Sequence, residues 1–228
     1  MNVAIVKYDA GNVCSVVNAL RRLGVEPVIT DDASLLAGAD RVVFPGQGEA
    51  RQAMTYLRQH ELCGVIKSLR QPVLGICIGM QLMCRHSEEG DTDCLSIFDA
   101  DVVRFRPTRH EDKVPQMGWN EIYFNENENE NCVSRFSFEN SHNISPLFKG
   151  LLGPDVQGAL PYMYFVHSYY VPLCEHTIAM TDYVKPYSSA LHRDNFFATQ
   201  FHPEKSGAAG ERILRNFLEL KMTNNSWN

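Results

Sequence analysis

Four short apolar segments that alternate with helical patterns constrain the fold of this chain more than any other feature. The apolar segments are residues 3–6, 27–30, 41–44 and 72–76, and the helical patterns lie between them at 13–23, 33–37 and 50–69. Strands that are apolar along their whole length lie in parallel sheets whose two faces are covered by helices. We therefore expect an α/β fold with a central, mostly parallel sheet flanked by helices.

The second half of the chain changes this pattern. Strand-like segments follow one another at 102–105, 120–124, 162–171, 177–183, 188–192 and 196–201, and a closing helix is expected at 208–222. Short turns between several of these strands indicate antiparallel hairpins, so the sheet should be mixed.

The length of 228 residues and the hydrophobic content of 44% predict a single domain over 1–228. The alternating Asn and Glu residues of 125–131 cannot bury a face and are expected in a solvated loop.

Composition excludes several classes of function. The net charge is −6 and the lysines and arginines are scattered, so we expect no nucleic-acid partner. No apolar run approaches the roughly 18 residues that span a bilayer, and the N-terminus lacks the pattern of a signal peptide, so we expect a cytoplasmic protein without a membrane partner. The seven cysteines and eight histidines show no metal-ligand spacing, which predicts reduced thiols and no metal site.

The segment Gly-Ile-Cys-Ile-Gly at 75–79 carries the strongest chemical signal. It joins an apolar run to a helical segment around Met80, as in a nucleophile elbow with cysteine at the reactive position. Glycines on both sides remove side chains that would clash in such a sharp turn, and the N-terminus of a helix favours a thiolate. We predict that Cys77 is a nucleophile. An inert core cysteine is the alternative for this residue considered alone.

A base for Cys77 is expected in the segment Phe-His-Pro-Glu-Lys at 201–205. Pro203 disfavours helical geometry for the residue before it, so this segment is predicted to be extended. Side chains two residues apart then point the same way, which lets Glu204 orient His202 and stabilise its imidazolium. We predict a catalytic triad of Cys77, His202 and Glu204.

The segment Pro-Gly-Gln-Gly at 45–48 follows another buried strand. At the carboxyl edge of a parallel sheet, such a turn is able to direct a backbone N–H at a bound carbonyl oxygen, with the N–H of Ile78 as a second donor. We predict an oxyanion loop that includes Gly46 and Gln47, although an ordinary turn is the simpler interpretation of these glycines alone. A nucleophile, an oriented base and an oxyanion loop together indicate acyl transfer to cysteine.

Six segments that contain these residues occur in an order typical of one family. They are Tyr-Asp-Ala-Gly-Asn at 8–12, Pro-Gly-Gln-Gly at 45–48, Leu-Gly-Ile-Cys-Ile-Gly-Met-Gln at 74–81, Pro-Gln-Met-Gly-Trp-Asn at 115–120, Tyr-Phe-Val-His-Ser-Tyr at 164–169 and Gln-Phe-His-Pro-Glu-Lys-Ser at 200–206. Over nearly its whole length, the chain resembles the class I (triad) glutamine amidotransferases, and most specifically the glutaminase subunits that act in histidine biosynthesis.

This resemblance implies a reaction and a partner. Glutamine would be hydrolysed to glutamate through a γ-glutamyl thioester on Cys77, without a cofactor, and the ammonia would pass to a (β/α)8 cyclase subunit in a heterodimer. There it would join a ribulosyl-formimino nucleotide to give imidazole glycerol phosphate and AICAR. By the same resemblance, glutamine would be held by Gly48, Gln81 and the backbone around His167, Ser168 and Tyr169, and the face towards the cyclase would include Asn12, Trp119 and Lys205.

Several of these residues also fit simpler roles. Trp119 is consistent with a packed core ring, Lys205 with a solvated charge, and residues 164–170 with an aromatic core strand. Gln47 stands where the family more often has valine, and the connection around 125–143 is longer than usual. The alternative functions are a related glutaminase that feeds another acceptor such as a sugar amidotransferase, a stand-alone γ-glutamyl hydrolase or cysteine peptidase, and a non-catalytic scaffold.

Overall fold

The computed structural model of the chain describes residues 1–8, 13–46, 48–124, 144–151, 161–223 and 226–227. The Asn/Glu-rich tract at 125–131 lies outside these residues, so the solvated loop expected there stays a prediction. Within the described ranges, no helix has both the length and the apolar character needed to cross a bilayer.

Strands and helices alternate through the first half of the chain. The strands are β1 (Val3–Val6), β2 (Val28–Thr30), β3 (Arg41–Phe44), β4 (Val73–Ile76), β5 (His86–Ser87), β6 (Thr92–Asp93), β7 (Asp101–Arg104), β8 (Gln116–Glu121), β9 (Tyr123–Phe124), β10 (Tyr162–His167), β11 (Tyr169–Tyr170), β12 (Thr177–Tyr183), β13 (Lys185–Arg193), β14 (Phe196–Thr199), β15 (Met222–Thr223) and β16 (Ser226–Trp227). The α-helices are α1 (Cys14–Arg22), α2 (Ala33–Ala37), α3 (Ala50–Gln59), α4 (Leu62–Ser68), α5 (Ile78–Leu82) and α6 (Gly207–Glu219). Turns of 3-10 helix lie at Pro146–Phe148 and Pro203–Lys205.

An eight-stranded sheet with the order β2-β1-β3-β4-β14-β13-β12-β9 forms the centre of the fold. The strands from β2 to β14 in this order run parallel, and β13, β12 and β9 continue the sheet in antiparallel pairs. The predicted α/β fold with a mixed, mostly parallel sheet is confirmed. Because β3, β4 and β14 are parallel neighbours, the residues that follow these three strands meet at one edge of the sheet.

Apolar residues alternate between the two faces of this sheet. On β1, Val3 and Ile5 face a core that contains the buried residues of α1 and α6, whereas Ala4 and Val6 face a core that contains those of α2 to α5. Successive residues of a strand point to opposite faces, so a strand covered by helices on both sides is apolar at every position. This arrangement accounts for the continuous apolar segments of the first half.

The helix predicted at 50–69 is in fact two helices. α3 ends at Gln59 and α4 begins at Leu62, because Glu61 adopts a left-handed conformation with φ of 55°. Both Leu62 and Ile66 are buried beyond this break. Periodicity did not predict the break, because the residues there include neither glycine nor proline. The helix predicted at 208–222 is α6, which ends earlier, at Glu219.

Two predicted strands are each divided between sheets. The segment predicted at 162–171 separates at Ser168 into β10, which pairs with β8, and β11, which pairs with β7. The segment predicted at 120–124 separates into the end of β8 and the short β9, which joins the central sheet. Distant pairing partners decide these breaks, and the residues on both sides remain strand-like.

Candidate active site

Cys77 occupies a strained turn between β4 and α5. Its backbone has φ of 50° and ψ of −108°, a conformation that residues other than glycine rarely adopt. A Cβ atom added to Gly79 would lie 2.2 Å from the carbonyl oxygen of Phe44, and one added to Gly46 would lie 2.7 Å from Cβ of Cys77. Only glycine fits at these two positions. The sharp strand-to-helix turn predicted at 75–79 is confirmed.

His202 and Glu204 form a buried pair. Nδ1 of His202 lies 2.8 Å from Oε1 of Glu204, and the two side chains are 3% and 1% exposed. The prediction of an extended segment is wrong, because only His202 is extended and Pro203–Lys205 forms a turn of 3-10 helix. Proline keeps the preceding residue out of the helical region, but it also fits the first position of a helix. The predicted contact is formed by this turn and not by strand alternation.

Hydrogen bonds to β10 hold the backbone of His202. Its N–H donates to the carbonyl of Tyr164 at 2.9 Å. The hydroxyl of Ser206 donates to the carbonyl of His202 at 2.7 Å and accepts from the N–H of Tyr164 at 3.0 Å. The position of the imidazole therefore depends on a strand that belongs to another sheet.

The surroundings of His202 favour its protonated form. Burial opposes the positive charge, but the charge of Cys77 and the hydrogen bond and charge of Glu204 outweigh it and raise the pKa of His202 to about 10. Nε2 of His202 and Oε2 of Glu204 are buried, and neither is in hydrogen-bonding geometry with a described residue. An imidazolium beside a thiolate is the reactive state of a cysteine nucleophile with a histidine base.

A cavity of about 410 Å³ opens beside Cys77 and His202. This volume is in the range of sites for small molecules. The predicted site residues that line it are Gly46, Gly48, Cys77, Ile78, Gln81, His167, Ser168, Tyr169, His202 and Lys205, and the remaining lining residues are Glu89, Pro115 and Val166. No role was predicted for these three residues, and no local pattern marks Glu89. Across the described part of the chain, no group of three or more His, Cys, Asp or Glu side chains is arranged to hold a metal ion.

Gln81 and Glu89 provide hydrogen-bond acceptors in the cavity. Nε2 of Gln81 donates to the carbonyl of Tyr169 at 2.9 Å and to Oε1 of Gln200 at 3.0 Å, so both of its hydrogens are used within the protein. Its Oε1 is the atom left for a ligand. The carboxylate of Glu89 accepts from the N–H of Ala50 at 2.9 Å, and burial raises the pKa of Glu89. An amide oxygen and a carboxylate fit an ammonium group on the ligand, not a carboxylate.

His167 shapes the cavity wall through a neutral ring. Burial lowers the pKa of His167 to about 4, despite the opposing effect of its bond to the carbonyl of Tyr169. That bond, from Nδ1, is 2.7 Å long, and Nε2 lies 3.3 Å from the hydroxyl of Tyr187. The side chain therefore holds the turn through Ser168 and Tyr169, which is consistent with the prediction that the backbone of this segment faces the ligand.

Ile78 and Gly46, which were predicted to take part in an oxyanion site, lie beside Cys77. Ile78 is the first residue of α5, so its N–H has no acceptor within the helix, and it lines the cavity. The close approach of Gly46 to Cys77 brings the start of the predicted oxyanion loop to the same place. Gln47 lies outside the described residues, so its part in the loop stays a prediction.

Trp119 and Lys205 both contact Tyr164, and Lys205 also lines the cavity. The rings of Trp119 and Tyr164 meet edge to face with centroids 6.0 Å apart, and Nζ of Lys205 lies 5.9 Å from the centroid of the Tyr164 ring. The alternative of a packed core ring is wrong, because Trp119 is 55% exposed. Asn12, the third residue predicted for this face, lies outside the described residues.

The exposed face around Trp119 is larger than the sequence indicated. Trp119 is opposite Tyr164 in the β8–β10 ladder, with Met117 opposite Val166 and Glu121 opposite Tyr162, so these side chains share one face. Met117 and Tyr162 are 67% and 51% exposed. Neither was predicted, because an apolar residue in a strand gives no indication of whether anything covers it.

The sequence matches one protein family over most of its length. The family is described as class-I glutamine amidotransferase, and the match covers residues 5–220. Imidazole glycerol phosphate synthase subunit HisH of Bacteroides fragilis strain YCH46 is 57% identical over 220 residues, which are 96% of this chain and 100% of that protein. The HisH subunits of Yersinia pseudotuberculosis and Salmonella typhimurium are each 42% identical over 221 residues, again 96% of this chain and 100% of theirs.

Solved structures share the fold at lower identity. A putative GMP synthase subunit from Thermoplasma acidophilum has a TM-score of 0.67 and 21% identity, covering 96% of this chain and 92% of its own. The structure of PurLQS from Thermotoga maritima has a TM-score of 0.59 and 16% identity, with 96% and 97% coverage. At these identities the likeness concerns the fold alone.

Proposed function

The chain belongs to the class I glutamine amidotransferases, and we propose that it is the glutaminase subunit of imidazole glycerol phosphate synthase in histidine biosynthesis. It hydrolyses L-glutamine to glutamate and ammonia, and a cyclase subunit consumes the ammonia. The observation that carries the proposal is a single cavity in which Cys77 lies beside His202, itself paired with Glu204, together with acceptors for an amino acid. Identity of 42% to 57% with HisH subunits over nearly the whole chain supports the choice of this member of the family.

In the first half of the proposed reaction, Cys77 forms a thioester. Its thiolate attacks the amide carbon of glutamine, and the amide oxygen becomes an oxyanion that accepts from the N–H of Ile78 and from a backbone N–H of the loop that follows Gly46. His202, held as an imidazolium, transfers its proton to the departing nitrogen. Ammonia leaves, and the γ-glutamyl group stays on the sulfur next to a neutral imidazole.

In the second half, water releases the product. Neutral His202 takes a proton from water as the water oxygen attacks the thioester carbonyl, and the sulfur leaves as a thiolate. Glutamate is released and the imidazolium is restored. Glu204 keeps the proton on Nδ1 and stabilises the positive ring. These steps involve only acyl and proton transfers, so the proposed reaction uses no cofactor.

Recognition of the substrate is assigned to the polar lining of the cavity. Glu89 and Oε1 of Gln81 accept hydrogen bonds from the α-ammonium group of glutamine, because both are acceptors and one carries a charge. Gly48, Ser168 and Tyr169 also line the cavity, and their backbone groups hold the remainder of the amino acid.

We expect the Glu89→Gln variant to raise the KM for glutamine by about 10- to 100-fold with little change in kcat, because the charge that faces the α-ammonium group is lost while the size is kept. Steady-state kinetics with glutamine and with glutaramic acid, which lacks the α-amino group, measure the effect.

The pH dependence of KM gives a second check on Glu89. Because burial raises the pKa of Glu89, acidification removes its charge at a higher pH than that of an ordinary carboxylate. The wild-type KM should therefore rise as the pH falls, and this rise should be absent in the variant.

The matched control is Glu88→Gln. The carboxylate of Glu88 accepts from the N–H of Arg104 at 2.8 Å and from the guanidinium of Arg106 at 3.0 Å, and it does not line the cavity. Its replacement should leave the KM for glutamine unchanged. An unchanged KM in Glu89→Gln, or an equal rise for glutaramic acid, would refute the assignment of Glu89 to the α-ammonium group.

The proposed site for the cyclase is the exposed face of β8 and β10. Met117, Trp119 and Tyr162 are exposed there, and the cavity-lining Lys205 contacts Tyr164 on the same face. Aromatic rings and methionine are enriched where proteins bind each other. A (β/α)8 cyclase docked on this face lies over the mouth of the cavity and receives ammonia directly.

We expect slow glutamine hydrolysis by the isolated chain and a stimulation of about 10²- to 10³-fold by the cyclase subunit with its nucleotide ligand. Redirecting one oxyanion N–H is enough for a difference of that size. Glutamate formation measures the rate, and transfer of ¹⁵N from the glutamine amide into imidazole glycerol phosphate identifies the acceptor.

The Trp119→Ala variant should require about tenfold or more cyclase than the wild-type chain for half-maximal stimulation. Ile29→Ala is the control, because Ile29 is exposed on the edge strand β2.

The same assay separates the alternatives. High turnover by the isolated chain that no cyclase changes is the result expected for a stand-alone hydrolase or peptidase. Stimulation by a sugar amidotransferase, with no response to the cyclase, is the result expected for a glutaminase that serves another acceptor. Either outcome would overturn the proposed function.

A further inference from the structure

We propose that Gln200 is a further catalytic residue, whose side-chain amide donates a hydrogen bond to the sulfur of Cys77 and stabilises the thiolate before substrate binds. The inference rests on the proposed role of Cys77 as the nucleophile. Nε2 of Gln200 lies 3.6 Å from Sγ of Cys77, within reach of an N–H···S hydrogen bond. Gln200 is completely buried, so water does not compete for this contact.

The backbone places Gln200 at the nucleophile without relying on side-chain packing. Gln200 directly follows β14, the parallel neighbour of β4, which precedes Cys77. The N–H of Cys77 donates to the carbonyl of Thr199 at 2.7 Å, and the N–H of Gln200 donates to the carbonyl of Ser189 at 2.8 Å. Gln200 and Cys77 are therefore held at adjacent strand ends by backbone hydrogen bonds.

The hydrogen bonds of Gln81 determine which atom of the Gln200 amide faces the sulfur. The carbonyl of Tyr169 is only an acceptor, so the Gln81 atom 2.9 Å from it must be the amino group, Nε2. That amino group also lies 3.0 Å from the Gln200 amide, and its second hydrogen requires an oxygen there. Oε1 of Gln200 thus faces Gln81, and Nε2 of Gln200 faces Cys77. The hydrogen bonds from Tyr169 through Gln81 therefore permit only this orientation of the Gln200 amide.

Two contacts of the Cys77 sulfur favour opposite protonation states. The carbonyl of Val166 lies 3.8 Å from Sγ of Cys77 and accepts from a thiol, but it repels a thiolate. The N–H of Gln200 does the opposite, because an anionic sulfur is a much stronger acceptor than a neutral one. Gln200 therefore shifts the balance towards the nucleophilic form.

Unlike the charged and titratable side chains near the sulfur, Gln200 has no group that titrates. The titratable and charged side chains that face this region come from several elements: His202 and Glu204 after β14, Glu89 after β5, His167 on β10, Tyr187 on β13 and Lys205 at the mouth of the cavity. The amide of Gln200 does not titrate, so its effect on the thiolate is the same at every pH. It is also independent of the proton that His202 transfers during the reaction.

The test compares Gln200→Met with the wild-type chain by the rate of alkylation of Cys77 with iodoacetamide across pH. Methionine keeps the length and volume but has no N–H to donate. We expect the midpoint of the profile to rise by about one to two pH units, and kcat for glutamine at neutral pH to fall by about 10- to 100-fold. KM is not used as a criterion, because methionine also removes the oxygen that accepts from Gln81. Gln71→Met is the control, because Nε2 of Gln71 donates to the carbonyl of Leu36 and touches no site residue.

A second measurement does not depend on the folding of Gln200→Met. In the wild-type chain labelled with ¹⁵N-glutamine, the side-chain amide protons of Gln200 should shift with the same pH midpoint as the alkylation of Cys77, and should not shift in Cys77→Ala. An unchanged alkylation profile in folded Gln200→Met, or a Gln200 amide that does not follow the ionisation of Cys77, would overturn the inference. Alkylation or turnover that does not depend on Cys77 would instead refute the proposed function.

Discussion

Replacement of Cys77 by alanine is expected to reduce glutamine hydrolysis by about 10⁴-fold or more, because a nucleophile acts as a unit with its base and the reaction has no other route to a thioester. The strained turn at Cys77 and its place at the cavity distinguish it from the other described cysteines. The rate of glutamate formation measures the loss. A glutamine-like electrophile followed by peptide mass spectrometry should locate the adduct on Cys77.

Cys84→Ala is the matched control for this experiment. Cys84 lies a short distance along the chain, but burial raises the pKa of its thiol well above the ordinary value, so it stays neutral and unreactive. Its replacement should leave the rate of hydrolysis unchanged. An adduct on Cys84 or on the exposed Cys14, or substantial turnover by Cys77→Ala, would show that the nucleophile has been assigned wrongly.

Replacement of His202 by alanine should also reduce turnover by about 10⁴-fold or more. The factor by which Glu204→Gln reduces turnover should be about 100 times smaller than that. In the proposed reaction, His202 moves the proton in both halves, whereas Glu204 only orients and stabilises the ring. Rates and melting temperatures of both variants measure these effects. Glu211→Gln, a partly exposed position on α6, is the control. Full turnover in Glu204→Gln would remove Glu204 from the triad.

The Glu204→Gln variant should lose kcat/KM at a lower alkaline pH than the wild-type chain. Although burial opposes it, the charge of Cys77 and the bond and charge of Glu204 raise the pKa of His202 to about 10, so the imidazolium persists well above neutral pH. Glutamine at position 204 carries no charge, which lowers the pKa of His202. Because the proposed step requires a proton on His202, the alkaline limb of kcat/KM should move to lower pH in the variant. A limb at the wild-type pH would contradict the role of Glu204.

The backbone of the site was predictable because it depends on local constraints. A strand buried on both faces must be apolar at every position, and a sharp strand-to-helix turn excludes side chains at its flanks, so the apolar segments and the glycines around Cys77 follow directly from the fold. The residues that follow parallel strands meet at one edge, which also follows from the strand pattern. Cys77 and the segment at 201–205 were expected together from their chemical roles, whereas the parallel pairing of β14 with β4 that brings them together was not predicted.

The chemistry around that backbone was decided by contacts between distant parts of the chain. Glu89 enters the cavity although no motif surrounds it, and Gln200 reaches Cys77 across 123 positions of sequence. The bond from His202 to Glu204 was expected, but it arises from a turn of 3-10 helix that proline begins. Trp119 is equally consistent in sequence with a core ring or a surface ring, and only the two-stranded sheet of β8 and β10 leaves it exposed. Periodicity and turn residues act over a few positions, so the sequence determined most of the elements and the sharp turn at Cys77, while hydrogen-bond partners and exposure came from tertiary packing.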